Sequence, residues 1–334
     1  MRFSPLMILV LFLGGCRGTM STPQMPFATE TVAAAQTLIH SPTDTLTFTA
    51  IPERATISAS PTFEITAQTP ETCDPISSDF CIDNGHLILS RPITIPGNIG
   101  IDPTYRYGAT QNGKREPHHG VEFPNASGTP VIAVTDGIVV FAGRDKETLL
   151  SPWSNFYGNA VVIKHSYNGH DLYSLYAHLS KIDVSLDQKV GAGEKIGEVG
   201  ATGAAIGSHL HFEVRQDNND YASNRNPELW LIPQASDGAL AIRVADGNGN
   251  PLRVALNVQR VLENGTLEPV AQPEAYHTTE KYPVLPDDLY RENYALNDLV
   301  AGKYRLTFVY SGKVVERFVD VESEKLTLVA FTIK

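Results

Sequence analysis

The chain has 334 residues, 42% of them hydrophobic and 19% charged, a composition that can bury a core in each of two ordinary domains and excludes a disordered chain. Twenty-six basic against 37 acidic residues leave a formal charge of -11, which excludes nucleic acid as the main partner, because binding to a phosphate backbone rests on clustered Lys and Arg. The long apolar run is N-terminal, and nothing downstream is long enough to span a bilayer.

In residues 1–15, Arg2 supplies a positive charge, Leu6 to Leu13 form a short apolar stretch, and Leu13-Gly14-Gly15-Cys16 closes it with small residues. This is the order of an export signal. It resembles a bacterial lipoprotein signal, which implies that Cys16 is lipidated and becomes the first mature residue; an ordinary secretory signal is the alternative. The expected location is extracytoplasmic, membrane-anchored through the lipid and facing the cell wall. Residues 16–72 read as a tether: from Thr19 to Thr72, 24 of 54 residues are Thr, Ser or Pro and none is Lys, a composition that cannot bury enough apolar surface to fold alone. Phe48, Ile51, Ile57 and Phe63 could instead mark a few strands packed on the next domain. Cys73 and Cys81, in a compartment where thiols oxidise, are expected to form a disulfide, with two free buried thiols as the alternative.

From 73 to 233 the pattern is short β runs punctuated by glycine: Pro130 to Val134, Gly137 to Phe141, Asn159 to Ile163 and Leu172 to Leu179. No long helical period appears, so the glycines between 191 and 207 suit tight turns of an antiparallel sheet better than a phosphate-binding loop, which a helix must follow. From 238 to 334, Leu240 to Val244, a turn at Asp246-Gly247-Asn248-Gly249-Asn250-Pro251 and Gly302 to Phe308 read as a small β-sandwich. This segment resembles the prealbumin-like modules of secreted proteins, which implies a possible cell-surface partner. The expected fold class is all-β.

Eight of the ten histidines fall in the central segment. In Ser208-His209-Leu210-His211-Phe212-Glu213-Val214-Arg215, period two puts His209, His211, Glu213 and Arg215 on one face. Two imidazoles therefore project together about 6.6 Å apart. The same count over Leu172 to Leu179 puts Leu175, Ala177 and Leu179 on a buried face and Tyr176 and His178 on an opposite, polar one. His118 and Glu122 are four apart, yet Pro117, Gly120 and Pro124 argue against a helix. On a straight strand they would stand about 13 Å apart, so a bend at Gly120 is required for both to reach one ion.

His118-x-Gly120-x-Glu122, Leu175-Tyr176-Ala177-His178-Leu179-Ser180, Gly200-Ala201-Thr202-Gly203 and His209-Leu210-His211-Phe212-Glu213 together resemble the lysostaphin/LytM-type zinc endopeptidases over about residues 86 to 233. The resemblance implies an antiparallel β fold of the duplicated hybrid-motif type, cleavage of peptides in peptidoglycan, zinc held by His118, Glu122 and His211, and a catalytic pair, His178 and His209, that handles water and oxyanion. Glu122 departs from the family's Asp and should shift the carboxylate by about 1.5 Å, which bears on rate more than on the site's existence. His119 adjoins the site at a variable position, and His86, His165 and His170 read as structural or solvated. Glu213 can either support His211 or be an ordinary strand carboxylate. The competing functions are a relative that binds the wall or activates other cell-wall hydrolases, and, with little support, a sugar-phosphate carrier.

Overall fold

The computed structural model describes residues 73–146 and 148–334; the signal, Cys16 and the tether lie outside them. The first eleven strands are β1 (Cys81–Asp83), β2 (Val121–Pro124), β3 (Pro130–Ile132), β4 (Gly137–Arg144), β5 (Asn159–Tyr167), β6 (His170–Ala177), β7 (Lys181–Ile182), β8 (Lys189–Val190), β9 (Lys195–Glu198), β10 (His209–Gln216) and β11 (Asn224–Arg225). After one 3-10 turn at Pro227–Leu229 come β12 (Asp237–Asp246), β13 (Asn257–Val261), β14 (Leu267–Ala271), β15 (Tyr294–Val300), β16 (Gly302–Tyr310), β17 (Lys313–Val321) and β18 (Leu326–Ile333). The chain is all-β, as its period-two patterning requires. No helix among the described residues is long and apolar enough to cross a membrane.

A seven-stranded sheet in the order β11-β10-β6-β5-β4-β8, with β2 also paired to β10, carries the histidine motifs, and β3-β9-β7 form a small second sheet. All pairings within these two sheets are antiparallel. The larger sheet is covered on both sides: Val161, Ile163, Leu172 and Tyr176 enter one core, Val162, Leu175 and Ala177 another with Tyr157. This corrects the expected polar face of Leu172 to Leu179. Tyr176 is fully buried, and its hydroxyl accepts a hydrogen bond from the Val134 amide.

The C-terminal strands form two facing sheets, β1-β18-β12-β15 and β14-β13-β16-β17, around Leu240, Ile242, Leu296, Leu306, Phe308 and Phe331. The first of them is buried on its other face as well. Along β12 the large Leu240, Ile242 and Val244 point into the sandwich, while Ala239 and Ala241 face the core that holds Val161, Phe212 and Trp230. Small residues there let two sheets approach closely. Packing thus continues between the histidine-bearing sheets and the C-terminal strands, and one compact unit contains every described residue. Cys73 and Cys81 are disulfide-bonded, with Cα atoms 5.7 Å apart, and β1 pairs with β18 of the C-terminal sheet, because the three-residue strand finds its unpaired edge there. The Asp246 loop is the expected turn, its Oδ1 accepting the amides of Asn248 and Asn250.

The bend before β2 is solved by contact with β10. A Cβ on Gly120 would lie 2.4 Å from the Phe212 carbonyl oxygen and 2.9 Å from the His211 ring, and neither backbone nor a packed ring can yield cheaply. Gly120→Ala should therefore lower stability by at least about 2 kcal/mol and separate β2 from β10. Urea unfolding checks this: a midpoint equal to that of the wild type would mean that the close approach is not required.

Candidate metal centre

Three side chains meet where β2 crosses β10. The register pairs His211 with Glu122 directly, and His118, just before β2, is turned back by reciprocal backbone bonds: its amide to Ala109 at 3.1 Å and its carbonyl to Gly108 at 2.8 Å. His118 Nε2 lies 2.9 Å from Glu122 Oε1, His211 Nδ1 lies 3.0 Å from the same oxygen, and the two nitrogens are 3.3 Å apart. A tetrahedral ion bound at about 2.0–2.1 Å holds its ligands about 3.3 Å from one another. Two imidazole nitrogens and one carboxylate oxygen in this triangle fit zinc in spacing and in chemistry. Glu122 Oε2 and His118 Nδ1 are buried and make no hydrogen bond within the protein, although His209 Nε2 approaches Oε2 to 3.2 Å. His118, Glu122 and His211 are the one such cluster among the described residues.

His211 is held from behind. Its Nε2–H donates to Glu213 Oε1 at 3.0 Å, and the Arg215 guanidinium donates to Glu213 Oε2 from Nε at 2.9 Å. Tyr157 donates its hydroxyl to Glu213 and accepts from Arg215 Nη2 at 3.0 Å. Glu213, Arg215 and Tyr157 are all fully buried. Glu213 therefore supports His211, the first of the two roles open to it. Period two made His211, Glu213 and Arg215 legible as one face; Tyr157 carries no sequence signal, since only the β5–β6–β10 pairing brings it there.

His178 and His209 stand at the mouth, with ring centroids 4.9 Å apart. His178 reaches the site differently from the expected alternation. β6 ends at Ala177, and Leu175 and Ala177, paired directly with Glu213 and His211, share their face of the sheet. Continued alternation would send His178 to the other side. Its left-handed backbone, φ 63°, swings the ring onto the site face, a conformation that costs a non-glycine residue about 1–2 kcal/mol. Nδ1–H then donates to the Thr202 carbonyl at 2.9 Å, so Nε2 is the nitrogen available on the cleft side. In His209, Nδ1–H donates to the Gly207 carbonyl at 3.1 Å, and Nε2 lies 3.2 Å from Glu122 Oε2. The surrounding cleft has a volume of about 400 Å³ and is walled by Tyr105, Gln111, Arg115 and Phe156.

His119 points away, stacked on Tyr221 at 3.8 Å, and burial pushes its imidazole down to about 3. His86 stacks on Trp230, His165 bonds the Asp136 carbonyl at 2.7 Å, and His170 pairs with Asp217 at the surface. None of these four joins the cluster.

Electrostatics without a metal follow from the carboxylates. Burial opposes a charge on His211, yet Glu122 and Glu213 outweigh it and raise the imidazolium to about 10. Burial likewise opposes ionisation of Glu122, and His211 and His118 overcome it, holding the carboxyl well below its usual range. Burial, reinforced by the charge on His211, pushes His178 down to about 4.

Residues 116–224 match the model of Peptidase family M23. Over 98 residues, 29% of this chain, the sequence is 43% identical to the DD-carboxypeptidase/endopeptidase Mpg of Neisseria meningitidis and, over an equal span, to the peptidoglycan DD-endopeptidase ShyA of Vibrio cholerae. The match spans 20% of the length of each of these relatives. Among solved structures, the catalytic domain of lysostaphin from Staphylococcus simulans is 28% identical, with a TM-score of 0.29 over 44% of this chain and 89% of that one.

Because His211 has a raised folded-state value, its proton stabilises the metal-free fold fully below about 6.5, and that contribution is lost as pH rises toward about 10. In chelator, the urea midpoint should fall between pH 6.5 and 10, and His211→Ala should flatten that slope. Over the same window zinc competes with a departing proton, so its affinity should rise up to about tenfold per pH unit. A pH-independent affinity in titration calorimetry would contradict the protonated site.

Proposed function

With residues 116–224 forming a Peptidase family M23 domain, we propose that the protein is an exported zinc endopeptidase that hydrolyses peptide bonds in peptidoglycan cross-links, anchored by lipid at Cys16. The observation that carries the reading is the convergence of His118 Nε2, Glu122 Oε1 and His211 Nδ1 within 3.3 Å of one another, beside two histidines whose Nδ1 atoms bond only backbone carbonyls. His118, Glu122 and His211 would hold zinc, which supplies a Lewis acid and a water of lowered pKa. The relative named as a peptidoglycan DD-endopeptidase supplies the substrate class.

The chain's own groups divide the remaining work. Glu213 accepts the hydrogen bond of His211 Nε2–H, which leaves Nδ1 as the ligand nitrogen. The Thr202 and Gly207 carbonyls fix Nδ1–H on His178 and His209, so both present Nε2 to the cleft. A neutral Nε2 accepts a proton from attacking water, and a protonated one donates to a developing oxyanion or leaving amine. The depressed basicity of His178 keeps it neutral at pH 7, which suits the accepting role. His209 differs in its neighbour: Glu122 Oε2 lies 3.2 Å from its Nε2, an acceptor beside the nitrogen that would carry a proton for donation.

His211→Ala should lower bound zinc and abolish cleavage together. His178→Ala should keep one zinc per chain and lose about two to four orders of magnitude in rate. Glu122→Asp should retain zinc. Metal analysis of purified protein, with mass spectrometry of ends released from peptidoglycan sacculi, checks all three. Undiminished cleavage in His178→Ala would sink the mechanism. Intact zinc without cleavage of any wall type would turn the reading to a regulator of other hydrolases.

A further inference from the structure

One wall of the cleft is not held by the fold that carries the histidines. Gln111, Asn112 and Gly113 are consecutive left-handed residues, with φ 50°, 59° and 77°. Left-handed backbone normally occurs as single residues, glycine and, less often, Asn or Asp being the ones that adopt it readily. Such a turn persists only if its surroundings over-determine it. The surroundings here come from the C-terminal region. Glu274 Oε2 accepts the Thr110 amide at 3.1 Å and the Thr110 hydroxyl at 2.9 Å, and Oε1 accepts the Asn112 amide at 3.1 Å. Thr110 Oγ1 in turn accepts the Gly113 amide at 2.9 Å. A carboxylate thus fills the ring of donors that the turn exposes.

What the turn carries decides its importance. Gln111 and Arg115 line the cleft together with Tyr105. Arg115 sits over the Tyr105 ring, 5.0 Å from its centroid, and Tyr105 stacks on His118 at 4.0 Å. Arg115 is the sole Lys or Arg lining the cleft. Behind it the Thr110 carbonyl accepts the amides of Lys114 and Arg115, so a shift at Thr110 moves Arg115. The metal ligand is held separately: His118 is bonded to Gly108 and Ala109, and the Gly108 carbonyl accepts the His277 amide at 3.0 Å. Loss of the Glu274 bonds leaves these in place.

We propose that Glu274 is a positioning residue for the substrate cleft: from the C-terminal region it holds the Gln111–Gly113 turn left-handed and so sets the wall of Tyr105, Gln111 and Arg115 against which the substrate peptide lies. This rests on the reading of the cleft as a peptidoglycan-peptide site. Glu274 touches no reacting atom. Its loss weakens substrate binding without removing metal or chemistry, which is the signature of raised KM at unchanged kcat.

The test uses the full chain and a soluble cross-linked muropeptide as substrate. Glu274→Ala should raise KM by about tenfold, with kcat within about twofold and one zinc per chain retained. Adding Asn112→Gly, which takes positive φ without steric cost, should recover most of that loss. A generic packing defect would not be recovered so. Hydrogen exchange over residues 105–118, followed by mass spectrometry, should show faster exchange in Glu274→Ala. If KM stays at the wild-type value, or if kcat and zinc fall with it, the positioning role is overturned. If the wild type cleaves no peptidoglycan, the reading of the cleft falls, and exchange alone decides whether Glu274 holds the turn: unchanged exchange overturns the proposal.

Discussion

The site depends on one buried charge pair. Glu213 and Arg215 share a strand face with no solvent access, and a lone carboxylate there would cost several kcal/mol. Arg215 offsets that cost with two contacts to Oε2, from Nε at 2.9 Å and Nη2 at 2.8 Å, and Tyr157 closes the network. With Oε2 spent on Arg215, Oε1 is left for His211. The orientation of a metal-facing nitrogen is therefore decided two residues away, by an ion pair that also locks the middle of the sheet. Removing Arg215 would strand Glu213, and removing Glu213 would strand Arg215, so the network stands or falls as a unit.

The same pair explains what sequence alone could disclose. Strand parity in His209 to Arg215 was sufficient to align His211, Glu213 and Arg215, because a period of two is a property of the backbone and needs no partner. The need for a bend at Gly120 was also legible, from the distance His118 and Glu122 would otherwise keep. The route of His178 was not. Parity assigns it to the face of Tyr176, and only the left-handed residue after β6 reverses the assignment. Likewise Tyr157 reaches the site through pairings distant along the chain, and Glu274 reaches the Thr110–Asn112 turn from the C-terminal region; no local spacing announces either. The extent of the C-terminal region was legible as β-sandwich patterning, but its shared core with the histidine-bearing sheet depends on alanines at 239 and 241, which read from sequence as ordinary strand fillers.

Glu122 gains significance from this geometry. A side chain one methylene longer than aspartate places Oε1 between His118 and His211 while Oε2 extends to within 3.2 Å of His209 Nε2. A shorter carboxylate on the same backbone would give up about 1.5 Å of that reach. The longer one couples two functions that could otherwise be tuned apart: the charge that draws a cation into the pocket also offers an acceptor to His209. His178, with its ring 5.7 Å from that of His211 and its Nδ1 bonded to a neutral carbonyl, has no such acceptor at Nε2 and is driven toward the neutral form by burial. Two histidines 4.9 Å apart thereby face unlike surroundings, and unlike surroundings are what let one of a pair accept a proton while the other donates. The difference in surroundings between them follows from where a single carboxylate ends.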